Sequence, residues 1–155
     1  MVLAESLKKI NILVKARSKN KWELIDEMVD LAVKNREISS ADSEEIKMAL
    51  VEREKSMSTG IGNGVAIPHC TTARVSDIII ILAISQKGID FDSIDNNPVR
   101  IVILLLVPKN KLSQHIKSLA NIAKVMGDEE LREKIASLKT AESILKTIKN
   151  FKINK

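Results

Sequence analysis

Arg53, His69 and His115 are the side chains of this sequence that could together bind a phosphoryl group. The chain has two histidines, and the first of them closes a segment that holds three of its five glycines. A histidine can serve as a general base, a metal ligand or a phosphoacceptor. An arginine offers a phosphate two parallel, charge-assisted hydrogen bonds. We interpret the three residues as a candidate phosphate site in which His69 is the nucleophile or phosphoacceptor.

The glycine-rich segment before His69 does not match the two common phosphate-binding motifs. The third glycine of the dinucleotide pattern is missing, and no Gly-Lys-Ser/Thr follows as it does in a P-loop. The remaining interpretation is a loop whose amides and hydroxyl groups form an anion nest. Its candidate phosphate-binding residues are Ser58, Thr59, Gly60, Gly62 and Gly64. The alternative is a tight helix-to-strand turn, which needs positive φ angles.

His69 is expected to leave a short buried strand, residues 65–67, along a constrained path. Pro68 fixes its own φ and keeps Ile67 extended. Cys70 follows directly, but neighbouring residues of an extended chain point to opposite faces, so its thiol is not expected to contact the His69 ring. Two histidines, one cysteine and no ligand-spaced carboxylates make a poor metal site, so no metal is expected.

Two amphipathic helices are predicted before the glycine segment. The first covers about residues 21–34, and Asn20 is its expected N-cap. The inward face of the second reads Ile46, Leu50 and Arg53, spaced by four and then three residues. An arginine on an apolar stripe favours a role in an anion site. The alternative is that Arg53 caps the terminal carbonyls of its own helix.

A third helix, about residues 111–126, carries His115. We expect its apolar face to include Leu112, Ile116, Leu119 and Ile122, with His115 pointing inward near the N-terminal turns, where an anion is favoured. The alternative is a core histidine bonded to a carbonyl. Further strands are predicted at about residues 10–14, 77–84, 89–91 and 100–107, and further helices at about 3–9, 128–138 and 140–151. Buried strands mixed with helices indicate a three-layer α/β domain.

Length and composition indicate the number of domains and the class of protein. One domain over residues 1–155 is expected, and 45% hydrophobic with 29% charged residues indicates a globular protein. No apolar run approaches the roughly 20 residues of a membrane span, and no signal peptide is evident. A single cysteine excludes an internal disulfide, so a cytoplasmic location is expected. The net charge of +5 comes with no aromatic stacking series or arginine-rich recognition helix, so nucleic-acid binding is not expected.

Residues 53–69, REKSMSTGIGNGVAIPH, resemble the active-site stretch of one known family. It is the fructose/mannitol-type (type 2) enzyme IIA of the bacterial phosphoenolpyruvate-dependent phosphotransferase system. The resemblance continues through residues 89–99 and 104–108 and the helix carrying His115. Residues 90–99 look most like the nitrogen-related subgroup, with fructose enzymes close behind. The resemblance implies an α/β fold with a mixed sheet flanked by helices.

The same resemblance implies a phosphoryl-transfer mechanism without a cofactor. The phosphocarrier HPr, or its nitrogen-branch paralogue, would donate to Nε2 of His69, and an enzyme IIB domain on a separate chain would accept for sugar uptake. His115 would be the second active-site histidine, and Arg53 the basic residue near the phosphate. Two alternatives remain open: a regulatory, nitrogen-type IIA whose phosphorylation state controls protein partners, and a noncatalytic protein-binding module.

Overall fold

The computed structural model describes residues 2–151, so Met1 and residues 152–155 of the predicted domain lie outside the described residues. The α-helices are α1 (Val2–Ser6), α2 (Lys21–Lys34), α3 (Ser43–Ser56), α4 (Leu112–Val125), α5 (Glu129–Ser137) and α6 (Ala141–Asn150). The strands are β1 (Ile12–Leu13), β2 (Gly60–Gly62), β3 (Val65–Ala66), β4 (His69–Thr72), β5 (Ile79–Ile89) and β6 (Val99–Pro108). Within residues 2–151, no helix has the length and apolar character that crossing a membrane requires.

The six strands form one mixed sheet organised around β6. Its order is β1-β5-β6-β3-β2, and β4 also pairs with β6. Strand β6 runs antiparallel to β5 but parallel to β3 and β4. One apolar cluster packs α2 and α3 against the sheet, and a second cluster packs α1, α4, α5 and α6. The predicted three-layer α/β fold with a mixed, helix-flanked sheet is confirmed.

Helix α2 forms as its apolar spacing predicts, with buried residues along one face. The Asn20 side chain caps it by accepting a hydrogen bond from the Glu23 amide at 2.9 Å. In α3 the buried residues are Ile46, Leu50 and Glu54, spaced by four residues each time. The expectation that Arg53 occupies the third inward position is therefore wrong, because Glu54 takes it and Arg53 is only half-buried.

Strands β3 and β4 pair one after the other with β6, both in the parallel direction, and the pairing is interrupted at Pro68. Val65 pairs with Ile101 before the interruption, and His69 pairs with Leu105 after it. Proline has no amide hydrogen to donate to a sheet ladder, so pairing breaks there, although its carbonyl still accepts from the Leu105 amide at 2.9 Å. The predicted strand at residues 65–67 was found, but β4 was not predicted. His69 therefore begins a strand rather than following one.

The glycine segment forms a β-hairpin. Strand β2 pairs antiparallel with β3, and the turn residues Asn63 and Gly64 have φ angles of 58° and 76°. Asn-Gly is the favoured dipeptide for such a two-residue turn, since both positions need positive φ. The hairpin delivers the chain to β3 and so to Pro68 and His69.

Two further sequence expectations are corrected in the second half of the chain. Strand β5 runs through Ile89 with an irregular register, so residues 89–91 do not form a strand of their own. In α4, Leu112 and Ile116 are 61% and 62% exposed, whereas the buried residues are Ser118, Ile122 and Val125. The first turns of α4 follow closely on the end of β6, and only its later turns have the apolar sheet to cover.

The close approach of Gly60 to Ser93 generates a stability prediction. A Cβ at Gly60 would lie 2.2 Å from Ser93 Oγ and 3.0 Å from Ser93 Cβ. Gly60→Ala should therefore lower the free energy of unfolding by about 1–3 kcal/mol in urea denaturation. Adding Ser93→Ala should restore part of the loss, because it removes the atom that clashes most.

Ser93→Ala alone is the matched control. The Ser93 hydroxyl is buried without a hydrogen-bond partner among the described residues, so its removal should cost little. Equal stability of Gly60→Ala and wild type, or a double variant no more stable than Gly60→Ala, would contradict the packing argument.

Candidate active site

His69 stands at the first position of β4, held by a hydrogen bond to its own chain. Its Nδ1 lies 2.8 Å from the carbonyl oxygen of Ile67, two residues earlier. A carbonyl oxygen can only accept, so Nδ1 must carry the proton and donate it. In the neutral ring the lone pair is then on Nε2. The geometry of the strand break thus leaves Nε2 as the ring nitrogen with a free lone pair, which is the nitrogen that the resemblance implied.

His115 lies in the first turns of α4 and faces His69. The two ring centroids are 5.1 Å apart, and the ring planes are tilted by 51°. Nδ1 of His115 is buried and has no hydrogen-bond partner among the described residues. A buried nitrogen without a partner is costly, so this atom is available to bond a group that enters the site.

Arg53 approaches the two rings from the last turn of α3. Its Nη1 donates to the Met57 carbonyl at 2.7 Å, so it does cap its own helix, as the alternative interpretation held. A guanidinium has five N–H donors, and one hydrogen bond leaves donors for an anion. Its positive charge also acts on both imidazoles. The structure therefore brings together Arg53, His69 and His115.

Burial and nearby charge favour the neutral form of both imidazoles. Burial is the main cause that lowers the pKa of His69, and the charges of Arg53 and His115 lower it further. The bond to the Ile67 carbonyl and the Glu54 carboxylate act in the opposite direction, but they do not reverse the shift. Burial and then the Arg53 charge also lower the pKa of His115. A neutral imidazole is the form that can attack phosphorus.

The polar groups predicted to form an anion nest have partners within the protein. The Ser58 hydroxyl donates to the Phe91 carbonyl and accepts from the Gly60 amide at 3.0 Å. The Thr59 amide and hydroxyl both donate to Glu54. Phosphate binding by Ser58, Thr59, Gly60, Gly62 and Gly64 remains a prediction.

The last two glycines of this segment show the geometry that the alternative interpretation requires. Gly62 and Gly64 adopt φ angles of 94° and 76°. Such values lie in the left-handed region, which favours glycine. Their observed contribution is therefore to the shape of the hairpin that leads to His69.

Cys70 packs away from the His69 ring, as its position on an extended strand predicted. Its side chain belongs to the apolar cluster beneath α2 and α3, whereas His69 faces α4. Burial raises the pKa of the Cys70 thiol to about 12, so the thiol stays protonated at neutral pH. Among residues 2–151, no group of three or more His, Cys, Asp or Glu side chains is arranged to hold a metal ion.

Sequence reasoning missed a buried ion pair next to the site. Lys21 of α2 and Glu54 of α3 are 6% and 2% exposed, and Lys21 Nζ lies 3.3 Å from Glu54 Oε2. A signal for it was present, because Lys21 is four residues before Ile25 and Glu54 is four residues after Leu50. Opposite charges therefore extend the apolar stripes of two consecutive helices. A buried charge needs a partner, and here each helix supplies the oppositely charged partner for the other helix.

The electrostatics of the site give a prediction for Arg53. Both imidazoles should titrate below 6.5, the ordinary histidine value, and Arg53→Gln should raise both pKa values by removing one positive charge. An NMR titration of the two ring Cε1–H signals measures this. Lys55→Gln is the control, since Lys55 is an exposed cation of the same helix end. Imidazoles that titrate at or above 6.5, or equal shifts in the two variants, would contradict the assignment.

Comparisons with known proteins agree with the geometry. Residues 5–151 match the family model described as "Phosphoenolpyruvate-dependent sugar phosphotransferase system, EIIA 2". The chain is 32% identical over 148 residues to the "PTS system fructose-specific EIIABC component" of Bacillus subtilis, covering 96% of this chain and 23% of that relative. It is also 32% identical over 136 residues to the nitrogen regulatory protein of Pseudomonas aeruginosa, covering 88% and 87%.

Structural comparison gives the same answer. The crystal structure of the nitrogen regulatory protein IIA-Ntr from Neisseria meningitidis matches with a TM-score of 0.85 at 29% identity, covering 96% of this chain and 99% of that one. The chain spans about a quarter of the fructose relative from Bacillus subtilis and most of the Pseudomonas aeruginosa relative. The resemblance seen in the sequence is confirmed. The chain belongs to the type 2 EIIA family of the phosphoenolpyruvate-dependent sugar phosphotransferase system.

Proposed function

We propose that this chain is a phosphocarrier that accepts a phosphoryl group on Nε2 of His69 and passes it to another protein. The donor would be phosphorylated HPr or its nitrogen-branch paralogue. The observation that carries the proposal is the hydrogen bond from His69 Nδ1 to the Ile67 carbonyl. It leaves Nε2 as the free nitrogen of a ring that lies beside a second histidine and an arginine.

The chemistry needs only side chains of this protein and the donor phosphohistidine. Nε2 attacks phosphorus, the new N–P bond forms, and the bond from phosphorus to the donor nitrogen breaks. Because Nδ1 keeps its proton, positive charge develops on the His69 ring and strengthens its bond to the Ile67 carbonyl. The phosphoryl group carries negative charge on its oxygens, so positioned donors supply most of the catalysis. Arg53 and His115 are the proposed donors.

Exchange with other proteins is supported by exposed apolar side chains at the site. Leu112 and Ile116 flank His115 on α4 and are 61% and 62% exposed. Met57, whose carbonyl accepts from Arg53, is also exposed. We call Met57, Leu112 and Ile116 the apolar rim. Exposed apolar side chains that cluster beside a polar site are typical of protein-binding surfaces. A phosphoryl donor and an acceptor protein would bind there in turn.

Two acceptors fit this chemistry. The fructose-specific relative supports transfer to an enzyme IIB domain for sugar uptake. The nitrogen regulatory relative from Pseudomonas aeruginosa and the IIA-Ntr structure from Neisseria meningitidis support a regulatory role as the alternative. In that role the phosphorylation state of His69 would control binding to protein targets. The noncatalytic binding module needs no phosphoryl transfer, and the next experiment separates it from both.

Phosphoryl acceptance should depend on His69. With labelled phosphoenolpyruvate, enzyme I and HPr, wild type should acquire an acid-labile, alkali-stable label, and His69→Ala should acquire none, because no other group replaces the nucleophile. Arg53→Gln and His115→Ala should each slow transfer by about 100-fold through loss of charge stabilisation. Initial rates from rapid quenching measure these effects.

Exposed neighbours supply the controls. Lys55→Gln next to Arg53, and Ser113→Ala on the same helix as His115, should keep the wild-type rate. Label on His69→Ala would refute the assignment of the phosphoacceptor. An unlabelled wild type with a cognate phosphocarrier would favour the binding module.

The apolar rim should control recognition of the donor protein. Leu112→Asp and Ile116→Asp should each raise the KM for phosphorylated HPr about 10-fold, because they place a charge in an apolar contact. The rate at saturation should change much less, since neither side chain is proposed to touch the phosphoryl group. Ile10→Asp is the control, because Ile10 is also exposed but lies beside β1 at the opposite edge of the sheet. Equal KM effects at Ile10 and Leu112 would remove the argument for a specific surface.

A further inference from the structure

In the buried pair formed by Lys21 and Glu54, all three donors of the ammonium are used and both carboxylate oxygens accept hydrogen bonds. The Lys21 ammonium donates to Glu54 Oε2 at 3.3 Å, to Asp92 Oδ2 at 3.1 Å and to the Phe91 carbonyl at 3.4 Å. Glu54 Oε2 also accepts from the Thr59 amide at 3.0 Å, and Glu54 Oε1 accepts from the Thr59 hydroxyl. The pair thus joins two helices to both segments that border the site.

A continuous chain of hydrogen bonds connects this pair to the reactive imidazole. Glu54 holds Thr59 at two atoms, the amide and the hydroxyl. The Thr59 carbonyl accepts from the Ile67 amide at 3.0 Å. The Ile67 carbonyl, on the same residue, accepts from His69 Nδ1 at 2.8 Å. The position of the carbonyl that selects the His69 tautomer therefore depends on Thr59, and Thr59 depends on Glu54.

A second contact fixes the other side of the same segment. The Phe91 carbonyl accepts from both Lys21 Nζ and the Ser58 hydroxyl. Ser58 and Thr59 are consecutive, so Glu54 and Lys21 together clamp the two residues, Glu54 by direct hydrogen bonds and Lys21 through the Phe91 carbonyl. Lys21 Nζ also lies 5.9 Å from the centre of the Phe91 ring, which adds a cation–π contact to the clamp.

Stability alone does not explain the pair. Desolvating two charges costs several kcal/mol each, and apolar residues of similar volume often stabilise a protein equally well. The Glu54 charge also acts directly on the His69 ring, where it opposes the larger effect of burial on the pKa. When positive charge develops on that ring during transfer, a nearby carboxylate would stabilise it.

We propose that Lys21 and Glu54 are positioning residues for phosphoryl transfer. Through Thr59 and Ile67 they hold His69 in the tautomer and orientation that present Nε2. The inference rests on the proposed function for its rate effects, but the state of the His69 ring can be measured without any transfer. If the Ile67 carbonyl shifts, the ring loses its Nδ1–H partner, and the proton can move to Nε2, which is then no longer nucleophilic.

The test compares Glu54→Gln with the paired change Lys21→Met and Glu54→Leu. Glu54→Gln should slow transfer from phosphorylated HPr by about 10- to 100-fold, the scale on which small displacements of reacting groups act. In ¹⁵N NMR spectra, part of the neutral His69 should move from the Nδ1–H to the Nε2–H tautomer. The paired variant should fold stably because it replaces the ion pair by apolar groups. It should nevertheless accept the phosphoryl group slowly and show the same shift of the His69 tautomer.

Lys47 and Asp30 provide a matched control. They join the same two helices, α2 and α3, through an ion pair of 2.9 Å, but no hydrogen bond connects them to Thr59 among the described residues. Lys47→Met with Asp30→Asn should keep the wild-type rate and the wild-type His69 spectrum. Thr59→Val, which removes only the hydroxyl bond to Glu54, should show a smaller version of both defects.

The outcomes separate this proposal from the function on which it rests. A folded paired variant with wild-type transfer and a wild-type His69 tautomer would overturn the positioning role. If neither Glu54 variant folds, Thr59→Val decides by the same two measurements. Label on His69→Ala would overturn the proposed function, and the tautomer measurement would still decide whether the pair controls the His69 ring.

Discussion

The hydrogen bond between His69 Nδ1 and the Ile67 carbonyl determines which nitrogen of the imidazole can react. It depends on the strand break at Pro68, because the chain must leave the regular ladder for a ring to reach a carbonyl two residues earlier. Beyond the break the chain returns to β6, where His69 is paired opposite Leu105. The sheet therefore fixes the backbone of His69, and the break fixes its side chain.

The groups around the His69 ring act on its charge in opposite directions, and each direction suits a different stage of the proposed transfer. Burial and the Arg53 charge lower the pKa of the His69 ring and so favour its neutral form, which nucleophilic attack requires. The Ile67 carbonyl and the Glu54 carboxylate act in the other direction and favour the cationic ring that the proposed transfer would form. Because the effects that lower the pKa are the larger, the pKa of His69 lies below its ordinary value when the site is empty. In the proposed transfer, a phosphoryl group that arrives near Arg53 would offset the arginine charge and shift this balance.

Much of the fold followed from the sequence because its signals are local. Helix α2, its Asn20 cap and the long strands β5 and β6 have strong periodicity or continuous apolar runs. Strand β4 was missed because its four residues carry no such pattern, and it exists only through pairing with β6. The exposed start of α4 was also missed, since periodicity shows which residues share a face but not where the sheet beneath that face ends.

The candidate site followed from residue types, whereas its supporting contacts did not. Arg53, His69 and His115 could be selected because few other side chains offer that chemistry. Glu54 was overlooked in favour of its neighbour Arg53, because spacings of three and four both suit an apolar stripe. Only the packing of α2 against α3 shows that Lys21 meets Glu54 in the interior. The pattern of each helix shows that a charge extends its apolar stripe, but it does not show which residue of the other helix that charge meets.

The burial of Cys70 separates phosphoryl chemistry from redox chemistry at adjacent residues. Oxidants and alkylating reagents attack the thiolate, and a thiol with a pKa of about 12 has on the order of one thiolate in 10⁵ molecules at pH 7. Peroxide should therefore oxidise Cys70 only slowly, although this residue directly follows His69 on the same strand. The low reactivity of Cys70 also permits selective labelling. A cysteine introduced at an exposed position would react with a thiol-reactive fluorophore, while Cys70 would remain unlabelled.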